Sequence, residues 1–404
     1  MVDVAAQHAR VLSGMRPTGR LHLGHYHGVL KNWVELQHEY QCFFFVADWH
    51  ALTTHYDDPS MVPQSTWNMV IDWLAAGVDP KKATVFVQSR VAEHAELHLL
   101  LSMITPLGWL ERVPTYKDQQ EKLKEKDLST YGFLGYPLLQ AADILVYRAG
   151  MVPVGEDQVV HVELTREVAR RFNHIYGREP DFEEKAEQAV KRMGKKNAKA
   201  FNGLRRTYQE QGDGEALAAA RELLESQQNI GAADRDRLFG YLEGGGRVIL
   251  PEPQPLLTKA SKMPGLDGQK MSKSYDNTIP LDASPEAVEK RMRTMPTDPA
   301  RVRRNDPGNP DICPVWQFHE VYSDENTRDW VQQGCRSAGI GCIECKQPVI
   351  DAVLEELRPM QQRGHEYAAQ PELVREIIDE GCERARVIAR ETMAEVRQAM
   401  SLSY

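Results

Sequence analysis

Over its first 180 residues the chain alternates short apolar runs with longer segments of helical periodicity, and few folds accommodate that order. The runs 9–13, 42–47 and 83–88 read as buried strands. Between and after them, apolar residues recur at helical spacing over 22–39, 60–76, 92–110 and 135–148. A short strand at Met151–Val154 then runs into a helix over about 157–176. Strand followed by helix, repeated, implies an α/β fold with a parallel, doubly wound sheet. Ligands of such sheets bind beyond the carboxyl ends of the strands, at the points where strand order reverses.

The pattern changes after Pro180. The stretch 183–248 is polar and helical, carries basic residues early, and ends in Gly244, Gly245 and Gly246. It reads as an inserted helical module, with a solvated surface favoured over an RNA-contacting arm. The proline-rich stretch 251–255 is expected to be loop, and from Ser284 onward the pattern is helical. The expected division is a catalytic domain in two parts, 1–182 and 249–283, the insertion 183–248, and a C-terminal helical domain 284–404. Its last two helices, 349–366 and 372–400, are amphipathic and are expected to pack together as a bundle.

Hydrophobic residues make up 42% of the chain and charged residues 26%, as in ordinary globular proteins. A formal net charge of −9 argues against wholesale electrostatic attraction to nucleic acid but leaves room for a local basic face. No export signal or bilayer-length apolar run is found, so a cytoplasmic protein without a membrane part is expected. Six cysteines in such a chain do not suggest a disulfide framework.

Two segments carry phosphate chemistry. The first strand ends in Ser13-Gly14-Met15-Arg16-Pro17-Thr18-Gly19, and His22-Leu23-Gly24-His25 opens the next helix. Glycine permits close backbone approach there, and a helix N-terminus attracts phosphate. His22 and His25, three apart, can both donate to phosphate oxygens; alternatively, with His27, they are surface or metal-binding histidines. The second segment is Lys270-Met271-Ser272-Lys273-Ser274, on a loop with Gly265 and Gly268. Its lysines are mobile charges suited to a departing pyrophosphate; in isolation such a loop is more often a solvated basic loop.

A third region is apolar with one conspicuous charge. It reads Tyr136-Pro137-Leu138-Leu139-Gln140-Ala141-Ala142-Asp143-Ile144-Leu145, followed by Gly155-Glu156-Asp157-Gln158 after the fourth strand. Asp143 is a lone carboxylate in an apolar helix and needs a partner. A ligand N–H would serve, and indole N–H is a donor without acceptor ability. A basic side chain such as Arg148 would serve as well.

Taken together these segments resemble class I aminoacyl-tRNA synthetases, whose His-x-Gly-His and Lys-Met-Ser-Lys-Ser motifs they match. The third region resembles the bacterial tryptophanyl members. The resemblance extends through Asp48-Trp49-His50-Ala51-Leu52-Thr53 and Leu164-Thr165-Arg166-Glu167, and resumes at Leu357-Arg358-Pro359 and Asp379-Glu380-Gly381. It implies a Rossmann-type catalytic domain using ATP with Mg²⁺, tryptophan and tRNA(Trp), in a homodimer. It also implies that Arg16, Pro17, Thr18, Gly24, His25, Gly155, Glu156, Asp157, Lys262, Lys270, Met271, Ser272, Lys273 and Ser274 face ATP. By the same resemblance His22, His25, Lys270 and Lys273 are catalytic. Asp143 takes the indole nitrogen, Tyr136 and Gln158 stand beside the substrate amino group, and Gln140 lines the pocket where many relatives carry an apolar residue. The nearest alternatives are a tyrosyl-tRNA synthetase and a non-catalytic, synthetase-like RNA-binding protein.

Four cysteines gather as Cys313, Cys335, Cys342 and Cys345. Four thiolates, two of them in a C-x-x-C pair, suit either zinc or an iron–sulfur cluster, and spacing does not separate the two. Resemblance to the cluster-bearing subset of bacterial tryptophanyl enzymes favours [4Fe–4S] over Zn²⁺. Arg291, Arg293, Arg301, Arg303 and Arg304 lie nearby in sequence and are expected to form a phosphate-binding patch for RNA.

Overall fold

The computed structural model describes residues 10–113, 129–178, 181–257 and 263–403. Its centre is one parallel sheet of five strands in the order β3-β2-β1-β4-β5, formed by β1 (Arg10–Met15), β2 (Gln41–Val46), β3 (Ala83–Val87), β4 (Met151–Val154) and β5 (Gln254–Leu257). Val11 pairs with Cys42 on one side and with Met151 on the other. The chain therefore winds outward from β1 through β2 to β3, then returns to the far side of β1 as β4. That reversal opens a crevice between the carboxyl ends of β1 and β4. β3 is buried along its whole length, as expected for a strand covered on both faces.

The four strands expected from the sequence form within one or two residues of their expected ends. The proline-rich stretch differs: Gln254–Leu257 is a strand, pairing in parallel with β4. Pro255 is tolerated there because β5 is an edge strand with one side that needs no ladder donor. The helical run expected over 92–110 is interrupted after Ser102 and resumes at Leu107–Glu111, with Pro106 between them ending the first helix.

The C-terminal helices Cys342–Ala368 and Pro371–Ala399 do not form a bundle chiefly with each other. The first packs along the helix Val62–Ala76 and the second along β3. Arg363 Nε donates to the Ala75 carbonyl at 2.7 Å. Gly381 lies so close to β3 that a Cβ there would stand 1.8 Å from the Val85 carbonyl oxygen. The apolar stripes of both helices join the core of the sheet, with Val353, Leu357, Ala385 and Val396 buried in the same cluster as Val11 and Phe44. Each helix thus spends its amphipathic face on the sheet domain.

The stretch 183–248 forms four helices, Phe182–Arg192, Lys195–Gln211, Gly214–Glu225 and Ala232–Leu242. They enclose a second hydrophobic cluster around Phe201, Leu224 and Leu238. No helix among the described residues is long and apolar enough to cross a membrane.

Candidate active site

A cavity of about 360 Å³ opens at the carboxyl ends of β1 and β4. Its wall includes Ser13, Gly14 and Arg16 from the end of β1, and Val152 to Gly155 from β4. Tyr136, Gln140, Asp143 and Ile144 come from the helix Tyr136–Val146, and Gln158 from the turn after β4. Six residues singled out in the sequence therefore share one cavity: Arg16, Tyr136, Gln140, Asp143, Gly155 and Gln158. Gly14 is required by its neighbour, since a Cβ would meet the Phe45 ring at 2.6 Å.

Asp143 is not the lone carboxylate its sequence neighbourhood suggests. It is buried, and three protein donors reach it. Gln88 Nε2 donates to Oδ1 at 2.8 Å, His94 Nδ1 to Oδ1 at 2.6 Å, and His50 Nε2 to Oδ2 at 2.8 Å. Burial alone would raise its pKa, but the bonds and charge from His50 and His94 outweigh that and hold it below the ordinary carboxylate range. Arg148, the alternative partner, pairs instead with Glu395 at 3.0 Å. The sequence reading missed His50, Gln88 and His94. A signal was present for two of them. Gln88 directly follows β3 and His50 lies in the short helix Asp48–Leu52 after β2, where a doubly wound sheet displays its chemistry, whereas His94 belongs to the next helix, Glu93–Ser102. Tyr136 Oη lies 3.4 Å from His161 Nε2.

Beside this cavity the two phosphate segments meet. Residues 21–23 pair with 279–281 through Leu23 N–H to the Ile279 carbonyl (3.0 Å) and Leu281 N–H to the Leu21 carbonyl (3.1 Å). Asn277 ties down the loop between them. Its Oδ1 accepts Ser272 N–H at 2.7 Å, and its Nδ2 donates to Asp267 Oδ1 at 2.8 Å and the Lys270 carbonyl at 3.1 Å. This puts Lys273 Nζ 2.8 Å from the Thr18 carbonyl oxygen. Met271 packs over Gly24, where a Cβ would stand 3.1 Å from Met271 Cβ and 3.0 Å from the His22 ring. Lys270 is exposed at the rim. Lys262 lies outside the described residues, as do the side chains of Asp157 and Ser274.

His22 and His25 touch, with ring centroids 3.8 Å apart. Burial, aided by the charge of Lys273, lowers His22 to about 4. Burial, then His22 and the two lysines, lower His25 to about 3. Both rings are neutral at pH 7. His25 Nδ1 accepts the His22 backbone N–H at 3.2 Å, so its ring proton sits on Nε2 and is available as a donor. His27 is turned away from the site, bonding Glu356 (2.9 Å) and Tyr322 (3.0 Å). The metal alternative for these histidines has no support: among the described residues no group of three or more His, Cys, Asp or Glu is gathered closely enough to hold a metal ion.

The same statement covers the four cysteines, which are free thiols. The fold nonetheless brings them into one neighbourhood. Cys313 caps the helix Pro314–Tyr322, Cys335 ends the helix Glu325–Arg336, and Cys342 and Cys345 open the helix Cys342–Ala368. Burial pushes the Cys345 thiol up to about 12, with further contributions from Cys313, Cys335 and Cys342. Arg301 is buried against this group, its Nη1 3.8 Å from Cys335 Sγ. It is therefore not part of an exposed phosphate patch. Arg291 and Arg293 are likewise engaged, with Asp276 and Glu289. Arg303 and Arg304 remain on the surface.

The family model for class I tRNA synthetases (W and Y) matches residues 5–197 and 216–358. A tryptophan–tRNA ligase of Ralstonia nicotianae is 70% identical over 395 residues, covering 98% of this chain and 99% of that one. One from Thermotoga maritima is 45% identical, covering 98% and 100%. Among solved structures, tryptophanyl-tRNA synthetase from Campylobacter jejuni, complexed with ADP and tryptophan, superposes with a TM-score of 0.71 at 28% identity, covering 97% and 100%. The chain belongs to the class I tRNA synthetases of the tryptophan and tyrosine group, and its place there is among the tryptophan–tRNA ligases.

Proposed function

We propose that the cavity binds tryptophan, that the junction of the two phosphate segments binds ATP, and that the chain joins them as tryptophanyl-AMP before charging tRNA(Trp). The observation that carries this reading is the position of Asp143. An anionic acceptor, buried and already oriented, faces a mostly apolar cavity that adjoins two lysines and two neutral histidines. An indole ring offers such a cavity one N–H donor and no acceptor. Tyrosine would bring a hydroxyl instead, and phenylalanine would leave the carboxylate unpaired. Tyr136 and Gln158 then stand beside the substrate amino group, and Gln140 completes the wall. Gly155, Glu156 and Asp157 approach the adenosine, with Lys262 at the adenine.

In the first step the tryptophan carboxylate attacks the α-phosphorus of ATP in line with the departing pyrophosphate. No covalent enzyme intermediate is required, so rate comes from positioning and charge stabilisation. Arg16, Thr18 and Gly24 line the phosphate path with guanidinium and backbone donors, and Pro17, which has no N–H, shapes the turn between them. His25 donates through Nε2, and His22 stands beside it. Lys270 and Lys273 take up the charge that develops on pyrophosphate, with Met271, Ser272 and Ser274 shaping the loop that carries them. Mg²⁺ offsets the phosphate charge and arrives with ATP, as is usual for this ion. In the second step the terminal ribose hydroxyl of the tRNA takes the acyl group from the adenylate. ATP–pyrophosphate exchange with tryptophan, tyrosine and phenylalanine tests the reading. Exchange above background with tyrosine alone would overturn it.

The four cysteines form the second part of the proposal. Four thiols suit [4Fe–4S] or Zn²⁺, and Arg301 and the buried Lys346 would offset their negative charge; His319 Nε2 also lies 3.5 Å from Cys345 Sγ. Likeness to the cluster-bearing bacterial enzymes favours [4Fe–4S]. The group would have a structural role near the tRNA, since adenylation transfers no electron. A brown, iron-containing protein purified without oxygen is expected; a colourless, zinc-containing one would replace the cluster by zinc. A homodimer fits the exposed apolar side chains of Leu99, Met103, Leu107 and Tyr131, and a cytoplasmic setting fits the tRNA substrate.

A further inference from the structure

We infer that His94, held from behind by Tyr147, is a positioning residue for side-chain selectivity: it fixes the Asp143 carboxylate so that one acceptor position points to the cavity. The inference rests on the reading of Asp143 as the group that meets the substrate N–H. His94 is fully buried and does not line the cavity, so it acts only through Asp143. A carboxylate accepts only, so the 2.6 Å contact is an Nδ1–H donation from His94 to Oδ1. The other ring nitrogen is 2.7 Å from the Tyr147 hydroxyl, which donates to Nε2 and so selects the tautomer that keeps the proton on Nδ1. Tyr147 is itself fully buried and stacked on Phe43 with centroids 5.1 Å apart.

The consequence concerns the count of acceptor positions. A carboxylate offers about four. Gln88 and His94 occupy both on Oδ1, and His50, which does line the cavity, takes one on Oδ2. The position left is on Oδ2, the oxygen on the His50 side. Without His94, Gln88 and His50 still hold the carboxylate, but a second acceptor position opens on Oδ1. That position can draw water or let the group tilt, and the preference for an N–H donor at the cavity weakens.

The test compares affinity for tryptophan with affinity for an analogue in which sulfur replaces the indole N–H, each measured by competition in pyrophosphate exchange on the full chain. His94→Gln places its amide where Nε2 stood and loses the Nδ1 donor; His94→Asn places it where Nδ1 stood. With His94→Gln the preference for tryptophan over the analogue is expected to fall roughly ten-fold. With His94→Asn it should return to within about three-fold of the parent. A purely structural role would weaken both ligands alike and leave the ratio unchanged, which would overturn the inference. Asp143→Asn separates the two layers. If it leaves the ratio unchanged, the reading of Asp143 itself fails; if it abolishes the ratio while His94→Gln does not, only the role of His94 fails. Should His94→Gln not fold, Tyr147→Phe removes a single oxygen and carries the same comparison, with an unchanged ratio again the overturning result.

Discussion

Lys273 Nζ lies 2.8 Å from the carbonyl oxygen of Thr18, joining a loop to a turn 255 residues earlier in the chain. A lysine held by one neutral carbonyl keeps its charge and two further donors. It can exchange that carbonyl for a phosphate oxygen as negative charge builds. The contact therefore parks the lysine beside the site without consuming it. Replacing Lys273 by Ala is expected to lower kcat for pyrophosphate exchange by roughly 10²–10³-fold, as losses of a transition-state donor do. KM for tryptophan should change far less. Lys270→Ala should show the same split; equal losses in kcat and tryptophan affinity would remove both lysines from the transition state.

The loop that carries them depends on Asn277, which bonds Ser272, Asp267 and Lys270 at once and is buried. Asn277→Ala leaves the Ser272 N–H and the Lys270 carbonyl to find water, a loss of about 1–3 kcal/mol locally. Because the loop is a small fraction of the fold, its ordering suffers rather than global stability. KM for ATP is expected to rise about ten-fold while Tm is nearly unchanged, and proteolysis should begin within the loop. A large fall in Tm with normal ATP affinity would show that Asn277 serves the core instead.

Two glycines act at opposite ends of the argument. A Cβ at Gly14 would meet the Phe45 ring at 2.6 Å, and the ring can yield only into the cavity or against β3. A Cβ at Gly381 would meet the backbone of Val85 at 1.8 Å, which cannot yield. Gly14→Ala is thus expected to weaken tryptophan binding with modest loss of stability. Gly381→Ala should cost about 1–3 kcal/mol or more of stability, read in Tm, with tryptophan KM in the surviving fold little altered. Exchanged phenotypes would invalidate this account of how the cavity and the sheet edge are walled.

What the sequence disclosed follows from range. Strands β1 to β4 and both phosphate segments depend on local periodicity and local residue type, and they were readable. For the cavity residues Tyr136, Asp143 and Gln158, local chemistry singled out only the buried carboxylate and left its partner open, and the resemblance supplied the rest. The partners of Asp143 were not, because Gln88 and His94 lie 55 and 49 residues away and only the winding of the sheet brings them near. The same holds for β5, whose prolines argue for loop until β4 provides a ladder. It holds too for the last two helices, whose apolar stripes state that they pack but not on what. Arg301 reads as a surface cation in sequence and is buried beside Cys335 in the fold.

The neutral histidines set a pH dependence whose sign can be worked out. His22 and His25 are lowered to about 4 and about 3, below an unfolded value of roughly 6.5. Between those limits the unfolded chain binds more protons, so these two rings favour folding above about pH 6.5 and lose that contribution as pH falls through 4. Asp72 opposes them. Burial raises it to about 6 despite Arg20 and the Leu21 N–H, above an unfolded value of roughly 3.9. Its contribution is present below pH 4 and is lost as pH rises through 6. The slope of stability between pH 4 and 6.5 is thus a difference between groups: His319, lowered by burial to about 4, acts with the two histidines, and Asp236, raised by burial to about 6, acts with Asp72. Asp72→Asn removes one of the two opposing contributions and should steepen the rise in Tm with pH across that window. His25→Asn should flatten it. Thermal unfolding at half-unit pH intervals reads both slopes, and variants whose curves run parallel to the parent's would show that neither group titrates as its burial requires.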